Sequence, residues 1–225
     1  MEKSFFGKSI STIVTVGILF IIFVIIGYFL MTPSKKLPVY NPADVNPRLV
    51  DASVKHVRSN HKVANFSLLN QNGDTITQSN YNGKIYVTDF FFTRCQTICP
   101  IMSTNMAELQ ELFKNDTSVL FLSHSVTPVI DSISVLRAYA DKKGVIDAKW
   151  NLVTGEKKHI YELARKSYFA VLDEGDGGVQ DFIHTEQFIL VDKDRQLRGF
   201  YDGTDKEEIK RIFEDIHILK KEYDK

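Results

Sequence analysis

Cys95 and Cys99 are the residues best suited to chemistry, and they are the only two cysteines among the 225 residues of the chain. Three residues separate them, so on a helix their sulfur atoms would face the same way, one turn apart. They follow an apolar stretch at residues 85–92 and precede a helical pattern, which predicts that they lie where a strand gives way to a helix. The N–H groups and the dipole at the start of a helix favour the thiolate form of cysteine. The pair therefore indicates either a metal site or a redox site.

The spacing of the cysteines separates these two interpretations. Thiolates bind soft metal ions such as Cu(I) and Zn²⁺, and two thiols at a suitable distance can close a disulfide. A disulfide exchanger of the thioredoxin type is expected to carry C-x-x-C and a proline before a late strand. This chain has C-x-x-x-C and no proline after Pro128. The pattern favours metal binding over general disulfide exchange, and two buried, unreactive cysteines fit an electropositive helix start poorly.

A two-cysteine site needs a further ligand to hold a divalent or redox-cycling metal ion, and the chain has six histidines. His184 is the preferred candidate, because it lies in a predicted loop just before a strand at 187–191 and imidazole is the commonest metal ligand. His124, which follows a predicted strand at 118–123, is the reserve candidate. The others lie in or near an N-terminal tether or among polar residues on predicted helices, and they are interpreted as non-ligands: His56, His61, His159 and His217.

The elements that must position these residues follow the order β-β-β-α-β-α-β-α-β-β-α. Alternating strands and helices predict an α/β fold with a mostly parallel central sheet flanked by helices, and the last hairpin adds an antiparallel edge. Sites in such sheets form at the carboxyl ends of strands, where the cysteines are expected. Asn72-Gly73 predicts the turn of a first hairpin. Asp131 is a candidate helix cap, Thr204 and Glu207 are a candidate capping box, and Met102 and Met106 have the spacing of core residues.

The N-terminal part is organised differently from the rest. Residues 10–31 are nearly all apolar and at ~1.5 Å per residue reach about 33 Å, enough to cross a hydrocarbon core of about 30 Å. The run is longer than the hydrophobic region of a signal peptide, and no small-residue cleavage site follows it. We therefore expect a tail at 1–9, a transmembrane signal anchor at 10–31, a proline-containing tether at 32–61 and one domain at 62–225.

Charge excludes some partners and leaves the membrane orientation weakly encoded. The chain has 28 basic and 28 acidic residues, so no net field attracts nucleic acid. Two lysines, Lys3 and Lys8, precede the predicted span, and two, Lys35 and Lys36, follow it. The number of positive charges is therefore equal on the two sides and predicts no orientation. Long domains after a span are translocated largely regardless of such charges. We expect a single-pass membrane protein with its C-terminal domain on the non-cytoplasmic side, periplasmic or equivalent.

Three segments together resemble a known family. These are Phe91-Phe92-Thr93-Arg94-Cys95-Gln96-Thr97-Ile98-Cys99-Pro100, then Asp181-Phe182-Ile183-His184 before a strand, and the turn Asp192-Lys193-Asp194. The chain resembles the Sco/SenC family from about Lys62 to its C-terminus. Members are membrane-anchored, thioredoxin-like copper proteins that help to assemble cytochrome c oxidase.

The resemblance implies a thioredoxin-like fold and a role as a copper chaperone. Cys95, Cys99 and His184 would bind one copper ion, Cu(I) or Cu(II), and the domain would deliver it to the dinuclear centre in the copper-bearing subunit of the oxidase. No copper donor is indicated. One family segment usually reads S-V-D-P-x-x-D, and here Thr127 replaces its first acid while Asp131 keeps the second.

Three alternatives stay open. The same cysteines, acting as a redox pair, would suit a thiol–disulfide oxidoreductase that keeps the cysteines of the oxidase reduced for metallation. A thiol peroxidase would need an activated cysteine beside an arginine, for which Arg94 is the adjacent candidate. An interaction module without chemistry is the last alternative.

Overall fold

The computed structural model describes the backbone of residues 3–31, 35–171, 178 and 180–224, and it describes their side chains except at 3–11 and 28–31. The chain divides into two compact units, Met1–Lys36 and Leu37–Lys225.

The first unit contains one long helix, α1, at Lys3–Met31, which covers the predicted span at 10–31. Among the residues whose placement is described, no helix combines the length and the apolar character that crossing a membrane requires. Both ends of the predicted span, 10–11 and 28–31, fall among residues whose side chains lie outside the description. The transmembrane anchor is therefore not confirmed and stays a prediction.

The second unit is built on a seven-stranded sheet with the order β2-β1-β5-β4-β3-β6-β7. The strands are β1 Ser67–Asn70, β2 Thr75–Thr77, β3 Ile85–Phe91, β4 Val119–Ser125, β5 Trp150–Thr154, β6 Gln187–Val191 and β7 Leu197–Asp202. The helices are α2 Ile98–Leu112, α3 Ile133–Lys143, α4 Lys157–Glu162 with a π-helical continuation at Leu163–Ser167, and α5 Lys206–Tyr223. This order of strands and helices is the predicted one.

The sheet is mixed, which corrects the prediction of a mostly parallel sheet. Among the strands that the structure describes, β3 pairs parallel with β4 and β4 with β5, whereas the remaining pairings are antiparallel. Alternation of strands and helices implies parallel pairing only where one helix connects two neighbouring strands. Here β5-α4-β6 does not, because β6 lies beside β3 and runs opposite to it.

Strand β3 separates two apolar cores, because its successive side chains point to opposite faces of the sheet. All seven of its residues are buried, as its apolar sequence predicts. Phe91 packs in the core that also contains Cys95, Cys99, Met102 and Met106. Both methionines are fully buried, so their assignment to the core is confirmed. The core on the other face contains Phe90 together with residues of α4 and β6.

Part of the predicted tether at 32–61 belongs to the compact unit, which begins at Leu37. The Leu37 N–H donates to Glu222 Oε1 at 2.7 Å, and Arg198 donates to the carbonyl oxygens of Leu37 and Pro38. Val50 is fully buried. Two prolines begin short 3₁₀ turns, at Pro42–Asp44 and Pro47–Leu49, so this part of the predicted tether is folded. Residues 32–34 lie outside the description.

Two helices begin differently from the prediction. Helix α3 has Ser132 as its N-cap, and Asp131 points elsewhere. Helix α5 has Asp205 as its N-cap, whose carboxylate accepts from the Glu207 N–H, so the predicted box of Thr204 and Glu207 is wrong. The Thr204 hydroxyl donates to Asp202 instead. The carboxylate of Asp205, the next residue after Thr204, accepts the capping hydrogen bond in place of the Thr204 hydroxyl.

Candidate metal centre

The two cysteines lie at the junction of β3 and α2, as predicted. Residues 92–97 form the cysteine loop, and its first turn closes where the Cys95 N–H donates to the Phe92 carbonyl oxygen at 3.3 Å. Helix α2 begins at Ile98, so Cys99 is in its first turn and Cys95 precedes it. The Cys99 N–H donates to Cys95 Sγ at 3.4 Å. The first turn of α2 therefore donates a backbone N–H to the sulfur of Cys95, and it contains Cys99 itself.

The two thiols have unequal acidity. Burial acts to raise the pKa of Cys95, but hydrogen bonds from the thiol and N–H of Cys99 and from Thr97 outweigh it and lower that pKa to about 7. Burial raises the pKa of the Cys99 thiol to about 12, and the nearby Cys95 and the charge of Asp89 act in the same direction. Cys95 is 9% exposed and Cys99 is 2% exposed. Cys95 is thus the outer and more acidic thiol, and Cys99 is the inner thiol with the raised pKa.

His184 is exposed and lies in the coil before β6. This coil borders the cysteine loop, since the Phe182 ring packs edge to face on the Phe92 ring with centroids 5.2 Å apart. Pairing of Thr88 with Ile189 also places the end of β3 beside the start of β6. Yet in the described part of the chain no three His, Cys, Asp or Glu side chains are close enough to hold a metal ion. The structure brings the two cysteines together and the histidine loop alongside, and the role of His184 as a ligand stays a prediction.

The reserve candidate, His124, belongs to the core and not to the site. Its ring stacks on Phe90 at 4.9 Å, and Nδ1 is hydrogen-bonded to the Thr88 hydroxyl. The residue is fully buried, and burial lowers its pKa to about 3. It sits on β4 among residues of the core that lies across the sheet from the cysteines. The strand runs two residues further than predicted, to Ser125, so His124 lies within it, and the alternation of side chains along β4 turns the imidazole away from the junction.

The sequence alone did not identify Asp89 as a residue near the site. Asp89, on β3, is 2% exposed and shares a face of the sheet with the cysteines. Its Oδ1 atom has no hydrogen-bond partner among the described residues. Burial raises the pKa of Asp89 to about 7, although a hydrogen bond from Ser123 opposes the rise. The signal was present in the sequence, because Asp89 is the one charged residue in the apolar stretch 85–92.

Comparison with known proteins identifies similar chains. The SCO1/SenC family model matches residues 54–220. A SCO1 protein homolog from Bacillus subtilis is 31% identical over 159 residues, which cover 70% of this chain and 82% of the relative. A SCO2-like protein from Rickettsia felis is 27% identical over 148 residues, covering 63% of this chain and 71% of the relative.

Solved structures agree with these relatives. A SCO1/SenC family lipoprotein from Bacillus anthracis has a TM-score of 0.63 and 32% identity, and the match covers 71% of this chain and 95% of that one. BsSco, a Sco-family cytochrome c oxidase assembly protein with a disulfide switch, has a TM-score of 0.61 and 31% identity over 71% and 94% of the two chains. Yeast Sco1, solved with copper bound, has a TM-score of 0.53 and 22% identity over 70% and 90%, a likeness of fold. The fold of the second unit is thioredoxin-like α/β with a mixed sheet.

Proposed function

This chain belongs to the SCO1/SenC family, and from that membership we propose that it is a copper chaperone, which binds one copper ion and delivers it to the dinuclear copper centre of cytochrome c oxidase. The observation that carries the proposal is the pair of free cysteines at the β3–α2 junction. Two soft sulfur donors suit copper, and the acidity of Cys95 makes one of them available as thiolate near neutral pH.

The unequal thiols suggest an order of binding. The outer Cys95 thiolate meets the metal ion first, and the inner Cys99 becomes a ligand only when it releases its proton. Metal binding that displaces a proton weakens as the pH falls. Oxidation of the pair to a disulfide removes both ligands, so the chaperone must be reduced before it is loaded.

His184 is proposed as the third ligand. It is exposed, and its coil already touches the cysteine loop through Phe182 and Phe92. A ligand on a solvent-facing coil can approach a bound ion and leave it again without disturbing the core. Release of this ligand is therefore the natural first step when the ion passes to the copper-bearing subunit of the oxidase by ligand exchange.

Replacement of His184 by alanine tests this assignment. We expect one Cu(I) per wild-type chain and a roughly 10- to 100-fold weaker affinity in His184→Ala, equivalent to about 1.4–2.8 kcal/mol, with an unchanged melting temperature. The measurement is competition with a chromophoric Cu(I) chelator, using the full-length chain in detergent under reducing conditions. His217→Ala, which removes another exposed histidine, is the matched control. Equal affinity in all three proteins would remove His184 from the site.

The same variant separates the chaperone from a second candidate function. A thiol–disulfide oxidoreductase that keeps the oxidase cysteines reduced is favoured by the low pKa of the Cys95 thiol and by the inner Cys99 within reach of it. In that case metal-free protein reduces a disulfide in the copper-bearing subunit, and His184→Ala does so at the wild-type rate. His184→Ala could lose copper affinity and still reduce the disulfide of the oxidase subunit. This result would assign both functions to Cys95 and Cys99 and would limit His184 to copper binding.

We also propose that residues 10–31 anchor the protein in a membrane, with the second unit on the non-cytoplasmic side. The support is the apolar sequence of this stretch, in which Phe20 and Phe23 are exposed. A pair of C-terminal reporter fusions checks it. We expect activity from the reporter that works outside the cytoplasm, and activity only from the cytoplasmic reporter would contradict the orientation.

A further inference from the structure

A buried carboxylate ties the segment after β4 to the cysteine loop. Asp131 is fully buried, and its two oxygens accept four hydrogen bonds. Thr93 donates to it twice, through its hydroxyl at 2.6 Å and its backbone N–H at 3.3 Å. The hydroxyls of Ser125 and Thr127 donate to Oδ2 at 2.6 and 3.0 Å. All four donors are neutral, so directed hydrogen bonds compensate for the burial of this charge.

The local backbone explains why Asp131 reaches this position. Val126 continues from β4 and donates its N–H to the Phe91 carbonyl oxygen, at the end of β3. The chain then makes one tight turn, in which the N–H groups of Ile130 and Asp131 both donate to the Thr127 carbonyl oxygen. This turn brings the Asp131 carboxylate back to the ends of both strands.

Thr93 occupies a sensitive place in the cysteine loop. It is the second residue of the turn that begins at Phe92 and closes at the Cys95 N–H. Asp131 holds this residue by side chain and backbone together, so both its rotamer and its peptide plane are restrained. Arg94 and Gln96 are exposed, and further contacts of the loop include the Phe92 ring on Phe182 and the Thr97 hydroxyl 3.7 Å from Cys95 Sγ. The position of Cys95 relative to the start of α2 thus depends in part on one carboxylate.

We propose that Asp131 and Thr93 position Cys95 so that its sulfur faces the Cys99 N–H. This inference rests on the proposed function, since it concerns the same pair of sulfurs. The Cys99 N–H donates to Cys95 Sγ at 3.4 Å in the reduced pair, so a loop that holds this geometry favours the dithiol over the disulfide. The same fixed loop holds both ligands ready for a metal ion, and a ligand set that is already arranged loses less conformational freedom on binding.

Thr127 is part of the same arrangement. Its hydroxyl adds one donor to the carboxylate of Asp131, at the position where the resembled motif has its first acid. An extra neutral donor strengthens the hold on the buried charge, whereas an acid directed at it would repel it.

The test is the reduction potential of the cysteine pair in Thr93→Val, using metal-free full-length protein equilibrated with oxidised and reduced glutathione. The equilibrium transfers two electrons and two protons between the dithiol and the glutathione disulfide. Without the Thr93 hydroxyl, we expect the reduced form to be destabilised about tenfold, which lowers the potential by about 30 mV. Copper affinity, measured separately on the same protein, should fall by a similar factor.

Two further variants sharpen the experiment. Thr93→Ser restores the hydroxyl and should recover the wild-type potential. Thr104→Val makes the same change on an exposed residue of α2, whose hydroxyl donates to Pro100, and should leave the potential unchanged. If Thr93→Val does not fold, Thr127→Val takes its place, with an expected effect of ~threefold because Thr127 lies outside the cysteine loop and both bonds from Thr93 to Asp131 remain.

The outcomes distinguish this inference from the proposed function. A lower melting temperature with an unchanged potential would overturn the inference, because Asp131 would then support the fold alone. If Thr93→Val shifts the reduction potential but the wild type binds no copper, the proposed chaperone function is wrong. The positioning role of Asp131 and Thr93 is then still supported.

Discussion

Cys99→Ser should abolish stoichiometric copper binding, with a loss of affinity of at least about a thousandfold, or about 4 kcal/mol. The change removes one of two thiolates and leaves a hydroxyl, which stays protonated and is a poor ligand for a soft ion. The fold should persist, because serine differs from cysteine in a single side-chain atom and leaves the backbone of the first turn of α2 unchanged. Chelator competition at neutral pH under reducing conditions measures the affinity, and circular dichroism checks the fold.

Cys95→Ser should be the more severe of the two single changes. The sulfur that remains is Cys99, whose pKa burial raises to about 12, so binding to it must first remove a tightly held proton. The sulfur that remains in Cys99→Ser is the more acidic one. Thr104→Ser, an exposed change on the same helix, is the control and should bind copper like the wild type. One copper per chain in a variant lacking both cysteines would place the metal site elsewhere.

Asp89→Asn should change how stability depends on pH. The folded-state pKa of Asp89 is raised from 3.8 to about 7. Its contribution to stability is therefore fully present below pH 4 and is lost as the pH rises through about 7, because the folded protein must then bury an ionised carboxylate. The shift corresponds to a loss of up to about 4 kcal/mol at pH 8. Asparagine cannot ionise, so the variant should be more stable than the wild type at pH 8 by a comparable amount.

Urea unfolding of reduced, metal-free protein at pH 4.5 and pH 8 measures this difference. Asp74→Asn is the control, since it removes a carboxylate that is exposed at the start of β2, and it should follow the wild type at both pH values. If Asp89→Asn and the wild type lose the same stability between these pH values, then folding does not raise the pKa of Asp89, and this carboxyl group contributes nothing to the pH dependence of stability.

The parts of this protein that follow from local pattern were predicted correctly. The turn at Asn72-Gly73 joins the two antiparallel strands of the first hairpin, and Gly73 has φ 82°. Such a turn requires a residue with positive φ, a conformation that glycine adopts readily. The apolar run at 85–92 became a central strand, and the spacing of Met102 and Met106 identified the buried face of α2. The cysteines then had to lie between these two elements.

Features that depend on distant contacts were not predictable in the same way. The direction of β6 is decided by its place beside β3, over a connection that passes α4. The folding back of residues 37–61 depends on partners far away in the sequence, such as Arg198, which is 161 positions from Leu37. The sequence showed that Asp131 is polar and near a helix start, but its bonds to Thr93 exist only once β3 and β4 pair. Spacing alone also cannot tell how near His184 comes to the sulfurs.

The attachment of Leu37 has a mechanical consequence. Tension on the chain before Leu37 reaches the second unit through the bonds of Arg198 and Glu222 to that residue and its neighbour Pro38. Arg198 belongs to the edge strand β7, and Glu222 belongs to α5. In the sheet, β6 lies between β7 and β3. The tension therefore acts on the edge strand β7 through Arg198 and on helix α5 through Glu222. Among the described residues, none of these bonds to Leu37 and Pro38 comes from the loop that carries Cys95.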